Sequence, residues 1–212
     1  MVPQSFEGCL QLKPLGRDMT SMVVEKNQKR EILDTLDYAP PQWNEGYTPV
    51  KYKAPYWEKW QHNPFTLEEV IEQDGTGIGL ILGEITETVA IDFDGEGSEE
   101  NFKEIFGHRV DELPETICWS SGRPHRHQRG YLVPRKWWPL VHHLQNEIPK
   151  VEIRWNDHQS VIVGKHPNEK GDGQGFYNFL HRCSPEDINI AIAPDWFLNK
   201  WAELCKPKRR DS

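Results

Sequence analysis

The chain has 212 residues, 36% hydrophobic and 27% charged, with nine tryptophans and a net charge of −8. That length and aromatic content suit one medium domain with a real core, and no part reads as disordered apart from the tail Lys206 to Ser212. No apolar run approaches the ~18 residues of a membrane span, no secretion leader is expected, and the acidity argues against a DNA binder that relies on overall charge. Cys9, Cys118, Cys183 and Cys205 are scattered, without CxxC or Cys/His zinc spacing. Reduced thiols, a cytoplasmic location and no zinc site are therefore expected.

In chain order, apolar residues recur at helical spacing from Ser21 to Leu36, which predicts a helix. Residues 39–65 are rich in proline and aromatics and read as an ordered loop with a short helix near Tyr56 to Gln61. Thr66, with Glu69 three residues on, is a capping box that starts a helix to Gln73. Strands are expected at Gly77 to Leu82 and Thr86 to Phe93, then a helix capped by Ser98 running to Phe106. Thr116 to Ser120 and His127 to Val133 read as strands, and Trp137 to Glu147 as a helix. Lys150 to Arg154 and Ser160 to Val163 read as a hairpin pair, and Phe176 to Leu180 as a short strand. Two closing helices are expected at Ser184 to Ala193 and Asp195 to Leu204. Irregular alternation with hairpin-linked strands predicts an α+β fold with a mixed or antiparallel sheet.

The run VAIDFDGEG is the sharpest local signal. Val89, Ala90 and Ile91 bury a strand, and Asp92 and Asp94 follow at alternate positions, so both carboxylates project from one face. Two such carboxylates repel unless a cation lies between them, and Mg²⁺ or Mn²⁺ prefers hard oxygen ligands. Glu152 interrupts the apolar strand VEIR and faces opposite to Val151 and Ile153. Three acids on adjacent strands can hold two metals for in-line phosphoryl transfer. The bland alternatives are an acidic turn and a strand-edge acid paired with Arg154.

Between these acids lies WSSGRPHRHQRGYLV. Ser120, Ser121 and Gly122 turn the chain, and their hydroxyls and backbone N–H groups suit phosphate oxygens. Arg123 and Arg126 supply positive charge, within a basic cluster that runs on to Lys136. His127, Arg129 and Tyr131 alternate and so share one strand face. Against a phosphate site stands the simpler reading of a solvated basic turn.

These segments resemble the archaeo-eukaryotic primase superfamily, and in particular the primase-polymerase (Prim-Pol) domains of plasmids, phages and other mobile elements. Asp92-Phe93-Asp94 is similar to its DxD, Ser121-Gly122-Arg123 through His127 to its SxH-type turn and strand, and Glu152-Ile153-Arg154 to its acid-hydrophobic-Arg. KAPYWEKW from Lys53 resembles its K-x-P…W segment, GIGLILG from Gly77 its strand before the DxD, and VIVGKHP with FYNF its closing stretch. The likeness covers about residues 48–182. It implies a catalytic core there, preceded by a helical or irregular segment at 1–47 and followed by closing helices and a basic tail at 183–212. It also implies an RRM-like catalytic sheet joined to an N-terminal α/β subdomain.

The implied reaction is template-directed nucleotidyl transfer, with Mg²⁺ or Mn²⁺, two ions in the family's mechanism, on Asp92, Asp94 and Glu152. Ser120, Ser121, Arg123 and His127 would clamp the triphosphate, with Arg154, Lys165 and His166. Gln128 is the alternative at the His position, because HQRGYLV departs from the family pattern. Implied partners are DNA template and primer, nucleoside triphosphates, and a helicase or other replication module on a longer parent chain; no membrane is expected. Two rivals stay open: a haloacid-dehalogenase-type phosphatase with Asp92 as nucleophile, although Glu96 stands where that family has Thr, and a non-catalytic nucleic-acid-binding module.

Overall fold

The computed structural model describes residue 32, residues 34–167 and residues 175–207. Among the described residues eleven strands form one sheet, supported by three α-helices described in full and by short 3-10 turns, so the fold is α+β with a large, mainly antiparallel sheet. The strands are β1 (Tyr47–Lys51), β2 (Ala54–Pro55), β3 (Gly77–Ile81), β4 (Thr88–Asp94), β5 (Cys118–Ser120) and β6 (Arg126–Leu132). They continue as β7 (Leu144–Ile148), β8 (Val151–Arg154), β9 (Gln159–Lys165), β10 (Phe176–Phe179) and β11 (Ala191–Ile192). The helices are α1 (Leu67–Ile71), α2 (Ser98–Phe106) and α3 (Asp195–Leu204). No described helix is long and apolar enough to cross a membrane.

The strand order is β2-β1-β3-β9-β10-β5-β6-β4-β8-β7, with β11 parallel to β6. Strand β10 pairs with both β9 and β5 and so joins the two halves. In the β1–β3–β9 half, Gly77 is paired with Gly164. A Cβ on Gly164 would lie 2.2 Å from the Gly77 Cα, and Gly164 has φ +123°, so two glycines let these strands pass this closely.

Strand β4 shows how the site is made. Val89, Ile91 and Phe93 pack into a core with Phe102 and Phe106 of α2, Ile153 of β8 and Phe197 and Trp201 of α3. Ala90 faces the other way, into a second core with Trp43, Leu80, Trp119 and Ile162. Asp92 and Asp94 continue the Ala90 face beyond the point where that core ends. The alternation of period two thus delivers both carboxylates to one side of a strand buried on its other side.

Local signals match the sequence reading where they are strong. The capping box holds α1: Glu69 N–H donates to Thr66 Oγ1 at 3.2 Å, and Thr66 N–H donates to Glu69 Oε2 at 2.9 Å. The closing helix at Asp195–Leu204 is present. Helix α2 begins after Gly97, whose φ of 83° makes it the cap, so Ser98 is its first residue and not its cap.

Four further expectations are corrected. The loop at residues 39–65 contains β1 and β2, and Tyr56 to Gln61 form turns rather than a helix. Trp137 to Glu147 is not a helix, since a 3-10 turn at Arg135–Leu140 contains Pro139 and is followed by β7. Pro139 has no N–H to continue a helix. Strand β8 pairs with β7 and β4, whereas β9 pairs with β3 and β10, so the expected hairpin between Lys150 to Arg154 and Ser160 to Val163 does not form. Ser184 to Ala193 is a turn leading into β11, where the Ser184 hydroxyl donates to Asp187 at 2.6 Å. The helix expected from Ser21 lies outside the described residues except at its end, where residues 34–36 are helical.

Candidate active site

Register brings the three acids together. Asp92 of β4 is paired with Glu152 of β8 on one side and Gln128 of β6 on the other. Paired residues in neighbouring strands project from the same sheet face, so Asp92, Glu152 and Gln128 form a row. Asp94 is paired with Arg126 one step along, and the two are ion-paired. This face floors a cleft of about 590 Å³ that Ser120, Ser121, Arg123, His166 and Tyr177 also line. Lys53, Arg123, Arg126, Lys150 and Arg154 set five cations in its lining against three carboxylates. Local charge therefore runs opposite to the net charge of −8.

Arg154 Nη2 donates to Asp92 Oδ2 at 2.6 Å and to Glu152 Oε2 at 2.9 Å. The Asp92 side chain is only 14% exposed. Burial pushes its carboxyl up to about 6; Arg154 opposes this, and Glu152 and Asp94 add to it. One guanidinium thus leaves the carboxylate well above its ordinary range, and the donor set of three carboxylates calls for more positive charge. Hard divalent ions such as Mg²⁺ or Mn²⁺ fit that need.

The basic turn is built by its own polar groups. The Ser120 hydroxyl donates to the Arg126 carbonyl at 2.6 Å and accepts the Gly122 N–H at 3.0 Å. Gly122 and His125 take positive φ to close the turn. Ser120 is thereby committed to shaping the loop, while Ser121 and Arg123 line the cleft beside it. Arg154 and His166 also line the cleft, but Lys165, exposed at the end of β9, does not.

His127, Arg129 and Tyr131 share a face of β6, as their alternation implies, and it is the one turned from the acids. Tyr131 is fully buried and donates to the Pro114 carbonyl at 2.9 Å, and Arg129 donates to the Val110 carbonyl at 3.1 Å. His127 borders the cleft, yet its ring stacks on Phe93 with centroids 4.7 Å apart. Gln128 is the residue in line with Asp92. Its Oε1 accepts the Trp119 indole N–H at 2.9 Å, and a hydrogen bond from its side chain helps to keep Asp92 ionised.

Burial, reinforced by Arg129, lowers His127 to about 4, so the ring is neutral at physiological pH. The unfolded chain takes up this proton near pH 6.5 and the folded protein only near 4, so stability is lost as pH falls through that window. The loss amounts to ~3 kcal/mol at most. His127→Phe keeps the aromatic stack without the proton. Its melting temperature should fall less than that of the wild type between pH 7 and pH 4, and an identical fall in both would refute a neutral buried ring.

Reasoning from sequence missed Lys53, Lys150, Gln159 and Tyr177 of the cleft lining. Lys150 lies in the turn just before β8, with φ 60°, so strand alternation does not place it. Lys53 lies in the turn between β1 and β2, Gln159 opens β9, and Tyr177 lies in β10, which joins the two halves of the sheet.

The chain matches the family model for the bifunctional DNA primase/polymerase, N-terminal domain (Prim-Pol) over residues 35–196, and it belongs to that family. Membership marks it as an enzyme of nucleotidyltransferase type whose substrates are DNA and nucleotides. No curated protein matches the chain.

Proposed function

We propose that the chain extends a primer strand on a DNA template by metal-dependent nucleotidyl transfer. The observation that carries this reading is the row of Asp92, Glu152 and Asp94 on one sheet face, at the floor of a cleft lined by five cations. In the reaction the primer 3′-oxygen bonds to the α-phosphorus of a nucleoside triphosphate. The bond from that phosphorus to the β-phosphate bridge breaks, pyrophosphate leaves, and the hydroxyl proton is lost.

Asp92, Asp94 and Glu152 would hold two Mg²⁺ or Mn²⁺ ions, which would supply neutralisation of the phosphate charge and a more acidic 3′-hydroxyl. Arg154, relieved of bridging two carboxylates, is free to pair with the triphosphate. Ser121, Arg123 and His166 contribute further polar contacts to it. Gln128 holds Asp92 through its amide and takes the position that His has in the family pattern. The phosphatase alternative gains nothing from the family match. The non-catalytic alternative leaves a crowded set of acids, with Asp92 largely enclosed, without a purpose.

The test is incubation of the protein with labelled nucleotides, Mg²⁺ or Mn²⁺, and primed or unprimed template. Incorporation dependent on template and metal is expected; template binding without incorporation would favour the non-catalytic module. Within the same assay Gln128→Ala should lower kcat/KM by about tenfold or more, the order of one lost hydrogen bond to a charged group. His127→Ala should change it less. The reverse order would return the triphosphate contact to His127.

A further inference from the structure

We propose that His143, His158 and Glu152 form a second kind of metal site beside the carboxylate row, suited to a borderline divalent ion such as Zn²⁺. His143 immediately precedes β7, His158 immediately precedes β9, and Glu152 lies in β8 between them. One ligand atom from each of the three lies within 4.8 Å of the other two. His143 Nε2 is 3.5 Å from Glu152 Oε1. Two atoms bound to one tetrahedral ion at about 2.1 Å are themselves ~3.4 Å apart, so this pair is already at ligand spacing.

Hydrogen bonding points the same way. Both ring nitrogens of His143 are buried and make no hydrogen bond, Nε2 having only the Glu152 carboxylate at ion-pair distance. Buried polar atoms are seldom left so, and an unmet pair calls for a ligand. His158 Nδ1 lies 3.0 Å from the Asn156 carbonyl. A carbonyl only accepts, so Nδ1 carries the proton and Nε2 keeps its lone pair, as in histidines oriented for metal by an outer partner. Glu152 divides its oxygens, with Oε2 held by Arg154 and Oε1 toward His143.

The chemistry of the donors separates this site from the carboxylate row. Two imidazoles and one carboxylate favour Zn²⁺ over Mg²⁺, and three protein ligands leave a fourth position open. Neither histidine lines the cleft. The rings now stack nearly in parallel, with centroids 3.5 Å apart. Binding tilts the rings toward a common ion and ends the stack. An ion held here draws Glu152 away from Asp92 and slows nucleotide transfer; this consequence rests on the role proposed for Glu152 above.

The experiment uses the whole chain freed of metal with a chelator. Zn²⁺ is titrated against a chromophoric competitor, and Co²⁺ is followed by the visible absorption of a four-coordinate site. The wild type is expected to bind one Zn²⁺ at this site and to show the Co²⁺ band. Asp92→Asn with Asp94→Asn should keep both. His158→Ala should weaken Zn²⁺ at least about tenfold and lose the band, and His143→Ala should do the same. Melting curves verify that each variant is folded, and His158→Ala serves if the more enclosed His143 cannot be replaced. The site is overturned by no Zn²⁺ binding to the wild type, by unchanged binding in folded His158→Ala, or by loss of binding in the aspartate variant. Zn²⁺ should also slow Mg²⁺-supported incorporation by the wild type more than by His158→Ala, and equal inhibition would overturn the link to Glu152. A wild type that binds Zn²⁺ but incorporates no nucleotide upholds the site and overturns the polymerase reading.

Discussion

Asp92→Asn combined with Asp94→Asn is expected to abolish nucleotide incorporation, by a factor on the order of 10³ or more, in a protein that stays folded. The size follows from losing several kcal/mol of charge stabilisation by metal, at 1.36 kcal/mol per tenfold in rate. Survival of the fold follows from position, because the core is made by Val89, Ile91 and Phe93 on the opposite face of β4. Asp92 is largely buried, and its carboxyl is pushed up to about 6 by burial, so charge there opposes folding when no metal is bound. The double variant should therefore melt no lower than the metal-free wild type at neutral pH. Metal reverses the ranking: an ion at 100 times its Kd stabilises the wild type by about 2.7 kcal/mol, and the variant gains little. Thermal melting with and without Mn²⁺ thus reads the site without any assay of activity. Undiminished incorporation by the folded double variant would remove these acids from the mechanism.

Glu152→Gln is the second large effect, expected to lower kcat by about 10²-fold and to raise the metal concentration needed for half-maximal rate. Gln keeps the shape of the side chain in β8 but cannot neutralise a cation. It also removes one of the two carboxylates that Arg154 bridges, leaving the guanidinium to Asp92 alone. The pairing of Asp92 with Glu152 makes this charge part of the same cluster, not of a separate strand edge. The measurement is rate against Mn²⁺ and Mg²⁺ concentration. Wild-type rates at low metal would show that Glu152 holds no ion needed for the reaction.

What could be read in the sequence was whatever depends on near neighbours. The alternation of VAIDFD sets Asp92 and Asp94 on one face because side chains along a strand alternate, whatever the strand pairs with. The Thr66–Glu69 capping box starts α1 because its two hydrogen bonds close within four residues. Family membership was legible too, through short segments in a set order that the match over residues 35–196 spans. Where local signals were mixed, the reading failed: Trp137 to Glu147 has helical apolar spacing, yet Pro139 and the pairing of β7 with β8 decide otherwise.

The tertiary structure decided everything that rests on partners. Strand β8 lies against β4 and not β9, and only that choice sets Glu152 beside Asp92. The face of β6 is the sharpest case. A shift of one residue exchanges its two sides, and the sequence offers a plausible phosphate ligand on each, His127 and Gln128. The register Asp92↔Gln128 sets Gln128 on the face of the acids and turns the His127 ring onto Phe93. His143 and His158 are fifteen positions apart in sequence, a spacing with no metal signature, and they meet because β7, β8 and the turn before β9 fold back on one another. Sequence alone specified which side chains could do chemistry, since alternation and capping act over a few residues. Pairing across the sheet decided which of them meet, because that depends on burying two cores at once.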